Sequence, residues 1–313
     1  MGRFAGGAAA AVGGIVAVAT TLGLLGSWWW PFDLIANFRP QYAIVLGVAA
    51  VAAILLRRWA TALALATFAL FNLAAMAPYL VGTGSAAAPG DRLTVVSFNV
   101  GISNPARADV MRFIGSEAPD LVFLYESSFE WEDAALALDL PYRLVSVVPP
   151  GTLTGITVMA RDGLSTTVVP TPLSAPTAAA VEVEIGGLAA TVIGAHPPSP
   201  TSGARSQLRD RVLDEVGRWV AGRPGPVLVV GDLNATPWSS GYRRLKDPGR
   251  LVDSLRGRGL QPSWPDGWGP LMITIDHALH TPDLVSVDRR TGPANGSAHR
   301  PLIVTVGRSA VVG

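Results

Sequence analysis

The stretch Val229-Val230-Gly231-Asp232-Leu233-Asn234-Ala235-Thr236-Pro237 governs the reading of this chain. The apolar run Val227 to Val230 has the length and composition of a strand buried on both faces. Directly after it come a carboxylate, Asp232, and an amide, Asn234, two residues apart. At that spacing both side chains aim at one point beyond the strand, where a phosphate or an attacking water would sit. An Asx-type turn that merely closes the strand uses the same residues, so the stretch acquires meaning from its surroundings.

Working outward, the same pattern recurs. A polar residue likewise stands where an apolar strand-like run ends at Asn99, Glu126, His196, Asp276 and His299, and short strands near 273–279 and 301–306 close the chain. Other strand-like runs lie at 143–148, 155–160, 165–169, 179–185 and 188–195. Helical spacing appears at 105–117 (Val110, Phe113 and Ile114 on one face), around 130–138, and at 204–221, with Leu208, Val212, Val216 and Val220 on one stripe. Consecutive strands mixed with helices predict an α+β domain with two sheets packed face to face and helices outside. Six polar residues at strand ends would then meet on one rim.

The N-terminal part is of another kind. Residues 5–26, 41–56 and 59–81 carry no charge. About 20 apolar residues span a bilayer core; the second run is slightly short, and Arg57 and Arg58 can snorkel to extend it. Three transmembrane helices are expected within residues 1–82. Arg3, Arg57 and Arg58 place the N-terminus and the 57–58 turn in the cytoplasm, so that everything after residue 82 lies outside. Ser27-Trp28-Trp29-Trp30-Pro31-Phe32 fits an outer interfacial aromatic belt. A cleavable signal peptide needs the same short apolar core as the first run, but the two runs after it argue against one. Residues 83–91 read as a flexible linker of about 30 Å maximum reach, 92–307 as the globular domain and 308–313 as a tail.

Composition narrows the function. Apart from Asp33, Arg39 and the arginines just named, the charges lie after Pro89, where the formal balance is about −2. A domain that grips a nucleic-acid backbone usually carries a basic excess. The chain has no cysteine, which excludes disulfides, thiolate zinc sites and a cysteine nucleophile.

Ser97-Phe98-Asn99, Tyr125-Glu126, Gly194-Ala195-His196-Pro197, Gly231-Asp232-Leu233-Asn234, Ile275-Asp276-His277 and Ser297-Ala298-His299-Arg300-Pro301 follow one another in this order. In that order they resemble the endonuclease/exonuclease/phosphatase (DNase I-like) superfamily across residues 92–307, and Gly155 to Arg161 resembles its glycine-containing central strand. The three-span front end is similar to membrane-anchored actinobacterial members linked with glycopeptide resistance. The resemblance implies a four-layered α/β sandwich and a Mg²⁺- or Mn²⁺-dependent phosphoesterase. It implies Glu126 as the principal metal ligand, with Asn99 placing the metal or a phosphate oxygen. Asp232 and Asn234 would orient the water and the phosphoryl group. His299, its ring held by Asp276, would be the general base or phosphate-binding imidazole, and His196 would stabilise the phosphoryl oxygens. His277 and His280 have no comparable claim. One departure stands out: the family's Ser-Asp-His is here Ser297-Ala298-His299, and alanine ligates nothing.

A site beside the outer membrane face favours a lipid-linked phosphate, with undecaprenyl pyrophosphate as the leading expectation and the bilayer as partner. Trp238, Trp264 and Trp268 either face lipid or pack at the rim. Arg205 and Arg209 on the long helix either meet phosphate or stand in solvent. An extracytoplasmic nuclease or phosphodiesterase, and a lipid- or wall-binding module whose metal site has decayed at Ala298, are the alternatives.

Overall fold

The computed structural model describes residues 2–82, 87–90, 92–137, 140–148, 155–171 and 173–310. Most of the expected linker (83–86 and 91) and the end of the tail (311–313) lie outside the described residues.

Two six-stranded sheets form the globular part. In the first, the order is β11 (Leu284–Thr291), β12 (Leu302–Arg308), β1 (Leu93–Asn99), β2 (Leu121–Tyr125), β4 (Ile156–Arg161) and β3 (Tyr142–Val148). In the second it is β5 (Thr167–Val169), β6 (Ala178–Ile185), β7 (Leu188–Ala195), β8 (Val227–Asp232), β10 (Asp276–His280) and β9 (Val252–Asp253). Inward residues of both sheets, among them Val95, Phe123, Val181, Val192, Val230 and Val304, make one shared core. Helices α5 (Arg107–Glu117) and α6 (Phe129–Ala137) cover the outer face of the first sheet. Helices α7 (Gly203–Ala221) and α8 (Ser240–Lys246) cover that of the second. The result is the expected four-layered α+β sandwich. Strand β11, helix α8 and the short α2 described below had no sequence expectation.

Each sheet contains one parallel pair, β1–β2 and β7–β8; every other pairing is antiparallel. Parallel neighbours end on the same side, and that side is where open α/β sheets place ligands. The topology therefore delivers the ends of β1, β2, β7 and β8 to one rim.

The N-terminal part folds as α1 (Gly2–Gly23), α2 (Trp30–Ala36), α3 (Arg39–Leu55) and α4 (Trp59–Leu80). Among the described residues α4 alone is long and apolar enough by itself to cross a membrane, and α2 and α3, bent by 63°, pass that test as a pair. Small residues let these helices approach: an added Cβ at Gly13 would meet the Leu65 side chain at 2.5 Å, and one at Gly23 the Ala36 backbone at 3.2 Å. Inside the bundle, Asn72 donates to Thr20 Oγ1 (3.0 Å) and accepts from Arg39 (3.4 Å). Outward, the helices expose many large apolar side chains, including Ile15, Val18, Leu55, Leu63 and Leu70.

The globular part does not hang from this bundle on a free tether. It is seated on one end of it through several segments, among them the one after Asn234. Thr236 donates to Asn37 (2.8 Å), and Ser239 Oγ and the Ser240 amide donate to Asp33 (2.7 and 2.6 Å). Trp238 is buried and stacks edge-on against Tyr79 (6.2 Å between centroids). Gln41 donates to the carbonyls of Pro270 (2.9 Å) and Met272 (3.2 Å), and the Gly257 and Gly259 amides donate to Pro78 and Tyr79. The Ala87–Ser309 bridge ties the described part of the linker to the end of β12.

Candidate active site

Asn99 is the last residue of β1, Glu126 follows β2, His196 follows β7 and Asp232 ends β8. Asp276 opens β10 directly opposite Asp232 in the antiparallel register. His299 stands just before β12, which pairs with β1. All six polar residues singled out at strand ends thus share one rim.

Their geometry is tight. The Asn99 amide nitrogen donates to Glu126 Oε1 and to Asp232 Oδ2, both at 3.0 Å, while its oxygen accepts from the Gly101 amide. Asn99 therefore clamps two carboxylates together and turns its acceptor away from them. His196 Nε2 lies 3.5 Å from Asp232 and 3.8 Å from Glu126. His299 Nε2 lies 3.7 Å from Asp232, and its Nδ1 is 3.1 Å from Asp276 Oδ2. Asp232 Oδ1 accepts the Asn234 amide (3.0 Å), and the Asn234 side chain donates to Pro197 O (3.0 Å). Glu126 and Asn234 both adopt left-handed backbone, at φ of 54° and 49°. Such conformations cost free energy and persist where the surroundings enforce them.

Electrostatics follow from this crowding. Burial opposes ionisation of Asp232, but His299, His196 and the Asn99 amide together outweigh it and hold the carboxyl well below the usual carboxylate range. Burial alone would lower the His299 pKa; Asp276 and Asp232 reverse that and push it up to about 9.

A support layer lies behind these groups. Ser263 Oγ accepts the Ile275 and Asp276 amides (3.2 Å each), and Arg289 donates to Asp276 O (3.1 Å). Ser297 Oγ donates to Asn99 O (2.7 Å) and accepts the His299 amide (3.0 Å), joining the two ends of the site. The buried Tyr125 hydroxyl donates to Val230 O (3.2 Å), linking the sheets beneath it. None of these had a sequence expectation. Ser297 carried a signal, as the first residue of its motif; Ser263 carried none.

A cavity of about 260 Å³ opens here, lined by Glu126, His196, Asp232, Asn234, Trp264 and His299, with Arg205 at its edge. Arg205 is exposed and pinned by Ser199, to which it donates at 3.0 and 3.2 Å. Arg209 is elsewhere. It is fully buried and pairs with Asp33 at 2.7 Å, so it neither meets a cavity phosphate nor stands in solvent. The reason is its position on α7, which faces the helical bundle where Asp33 protrudes. His277 is likewise internal, its Nε2 2.8 Å from Ala235 O and its ring against Tyr242. Ala298 is exposed, and its carbonyl accepts the Asp266 amide (2.8 Å).

The donor set suits a hard divalent cation. Oxygens of Asp232 and Asp276 and a ring nitrogen of His299 lie within 4.8 Å of one another. Asp276 Oδ1 is buried with no hydrogen-bond partner among the described residues. Carboxylate oxygens are what Mg²⁺ and Mn²⁺ take.

A two-sheet sandwich with a carboxylate–histidine rim of this kind defines a class of phosphoester hydrolases that use a divalent metal. The chain belongs to the Endonuclease/Exonuclease/phosphatase family, which matches residues 96–299. Solved structures agree in fold. D. rerio TDP2 complexed with single-strand DNA product is 15% identical, with a TM-score of 0.56 over 69% of this chain and 99% of that one. Truncated Caenorhabditis elegans TDP2 is 17% identical, with a TM-score of 0.55 over 69% and 98%. The endonuclease/exonuclease/phosphatase from Beutenbergia cavernae is 19% identical, with a TM-score of 0.51 over 70% and 72%. No curated protein matches the chain.

Proposed function

We propose that this chain is a membrane-anchored, extracytoplasmic phosphoesterase that hydrolyses a lipid-linked pyrophosphate, with undecaprenyl pyrophosphate as the leading substrate. The carrying observation is that the segment directly after Asp232 and Asn234 is seated on the helical bundle, through Thr236, Trp238, Ser239 and Ser240. A centre built onto a membrane unit is suited to a substrate that resides there. The bundle's exposed apolar surface, unusual for a soluble molecule, supports a multi-pass reading with α1, α3 and α4 as three spans. The Arg57–Arg58 turn lies at the end away from the globular part, so the positive-inside rule puts that part outside.

Glu126 and Asp232, whose oxygens share the Asn99 amide, would hold Mg²⁺ or Mn²⁺, with Asp276 and His299 grouped around the same Asp232 carboxylate, and the ion would supply charge neutralisation on the phosphoryl oxygens. The protein's own groups do the rest. Asp276 fixes His299 through Nδ1, leaving Nε2 facing the cavity to exchange a proton with the attacking water or a phosphoryl oxygen. His196 offers Nε2 to the phosphoryl oxygens, and Asn234 orients the water. Arg205 at the cavity edge reaches for the second phosphate.

A nuclease is the second reading, favoured by the DNA product bound to the D. rerio relative. The absence of a basic excess speaks against it. The test uses the full chain in detergent with Mg²⁺ or Mn²⁺. Phosphate release from undecaprenyl pyrophosphate that disappears in Asp232→Asn supports the phosphatase; nicking of plasmid DNA instead would replace it with the nuclease. Lipid binding without either reaction points to a binding module.

A further inference from the structure

The rim of the cavity continues into the segment Trp264-Pro265-Asp266-Gly267-Trp268-Gly269-Pro270-Leu271-Met272. One end of this segment belongs to the site: Trp264 lines the cavity and its ring lies 6.3 Å from that of His299. It is braced there by the Asp266 amide on Ala298 O and by the Arg300–Asp266 ion pair (2.6 Å). The other end belongs to the helical bundle, where Gln41, in the first turn of α3, donates to Pro270 O and Met272 O. Between these two attachments stand Trp268 and Leu271, 63% and 50% exposed.

Helical spacing puts Ile44 and Val48 on the face of α3 that carries Gln41. Those side chains are 62% and 67% exposed. Exposed apolar side chains therefore lie on both sides of the Gln41 attachment, Ile44 and Val48 on α3 and Leu271 and Trp268 on the segment, whose other end carries Trp264 beside His299. Two large apolar side chains on a segment pinned at both ends are poorly placed if their surroundings are water. They suit a surface that meets hydrocarbon.

We propose that the 264–272 segment is a ramp for the hydrocarbon tail of the substrate: Leu271 and Trp268 rest in the outer leaflet and guide one lipid chain from the bilayer toward Trp264. This rests on the membrane and lipid-pyrophosphate reading above and adds to it the element that recognises the tail. Tail recognition at this place would make catalytic efficiency rise with chain length, because each buried methylene adds favourable transfer free energy.

Two measurements test it separately from the reading it rests on. The first compares kcat/KM for undecaprenyl pyrophosphate and for a short water-soluble isoprenyl pyrophosphate, in the wild type and in Trp268→Ala/Leu271→Ala. The long-to-short preference should fall by about tenfold or more; an unchanged preference overturns the ramp. Thermal unfolding of the variant checks that it folds. The second needs no turnover. Because the chain has no cysteine, Leu271→Cys provides a single attachment point for an environment-sensitive fluorophore. In the full chain in phosphatidylglycerol–phosphatidylcholine nanodiscs, acyl-brominated lipid should quench the label. A label quenched by aqueous iodide and untouched by brominated lipid overturns the proposal, even if phosphatase activity is present. Hydrolysis of neither pyrophosphate, with the label quenched by lipid, would sink the substrate reading and leave the segment's place in the bilayer standing.

Discussion

Asp33, on a helix outside the catalytic sandwich, accepts a hydrogen bond from Arg209 at 2.7 Å, and both side chains are buried. The same guanidinium donates to the backbone oxygen of Asn234 at 3.2 Å and to Asp210 at 2.9 Å. Asp33 also gathers Ser239 and the Ser240 amide. The helical unit thus reaches the Asp232–Asn234 loop through one buried cation.

Removing the Asp33 carboxylate leaves Arg209 with Asp210 as its remaining acidic partner among the described residues and should cost about 1.5–3 kcal/mol, the range for losing a buried hydrogen bond to a charged group. Asp33→Asn in the full chain should lower the thermal midpoint and reduce kcat, since Asn234 loses its support. Arg209→Met alone should do likewise. The double variant should lose less than the sum of the two, and strict additivity in a double-mutant cycle would show that the pair is not coupled.

Ala298 is exposed and engages its neighbours only through its backbone, so a larger side chain fits there. Ala298→Asp should tighten Mn²⁺ binding measured by calorimetry and raise kcat/KM. If neither moves, the carboxylate that the family carries at this place is dispensable here.

In chelator-treated protein the His299 pKa, raised to about 9 by Asp276 and Asp232 against the effect of burial, carries a linkage consequence. The folded state holds the proton more tightly than the unfolded state, whose histidine titrates near 6.5. The stabilisation is fully present below that pH and is lost as pH rises through about 9. NMR titration of the ring should give the raised value, and Asp276→Asn should lower it. A ring in the native chain that titrates near 6.5 would contradict the described contacts.

An added Cβ at Gly231 would stand 1.9 Å from the Ala195 carbonyl oxygen, a backbone atom with little room to yield. Gly231→Ala should therefore destabilise the domain severely, by more than about 3 kcal/mol on the scale of core strain. Urea unfolding checks this, and a midpoint near wild type would show that β7 and β8 separate easily.

Much of this architecture was legible in the chain, for identifiable reasons. Strands β2, β7 and β8 are continuous apolar runs because both their faces are buried, and a polar residue marks each end. Glu126, His196 and Asp232 are legible for that reason, and Asn99 at the end of β1 likewise, while Asp276 and His299 stand out through their short motifs. Strand β11 is hidden because its second half is charged: Asp288 and Arg290 face water, while Arg289 is buried against distant partners that no local pattern announces. Arg209 gives no local sign of its burial, because a charged residue on an amphipathic helix resembles a solvated one and its partner lies 176 residues away. The seating of the sandwich on the helices was invisible for the same reason: Asn37, Gln41 and Tyr79 have no local pattern that announces a distant contact.

Ser297, whose hydroxyl also accepts the His299 amide, donates to Asn99 O, 198 residues before it in the chain. This has a consequence for the order of synthesis. Asp33 is made well before Arg209, and Asn99 and Glu126 well before the histidine they face. A nascent protein therefore lacks the complete rim until β12 has folded back against β1.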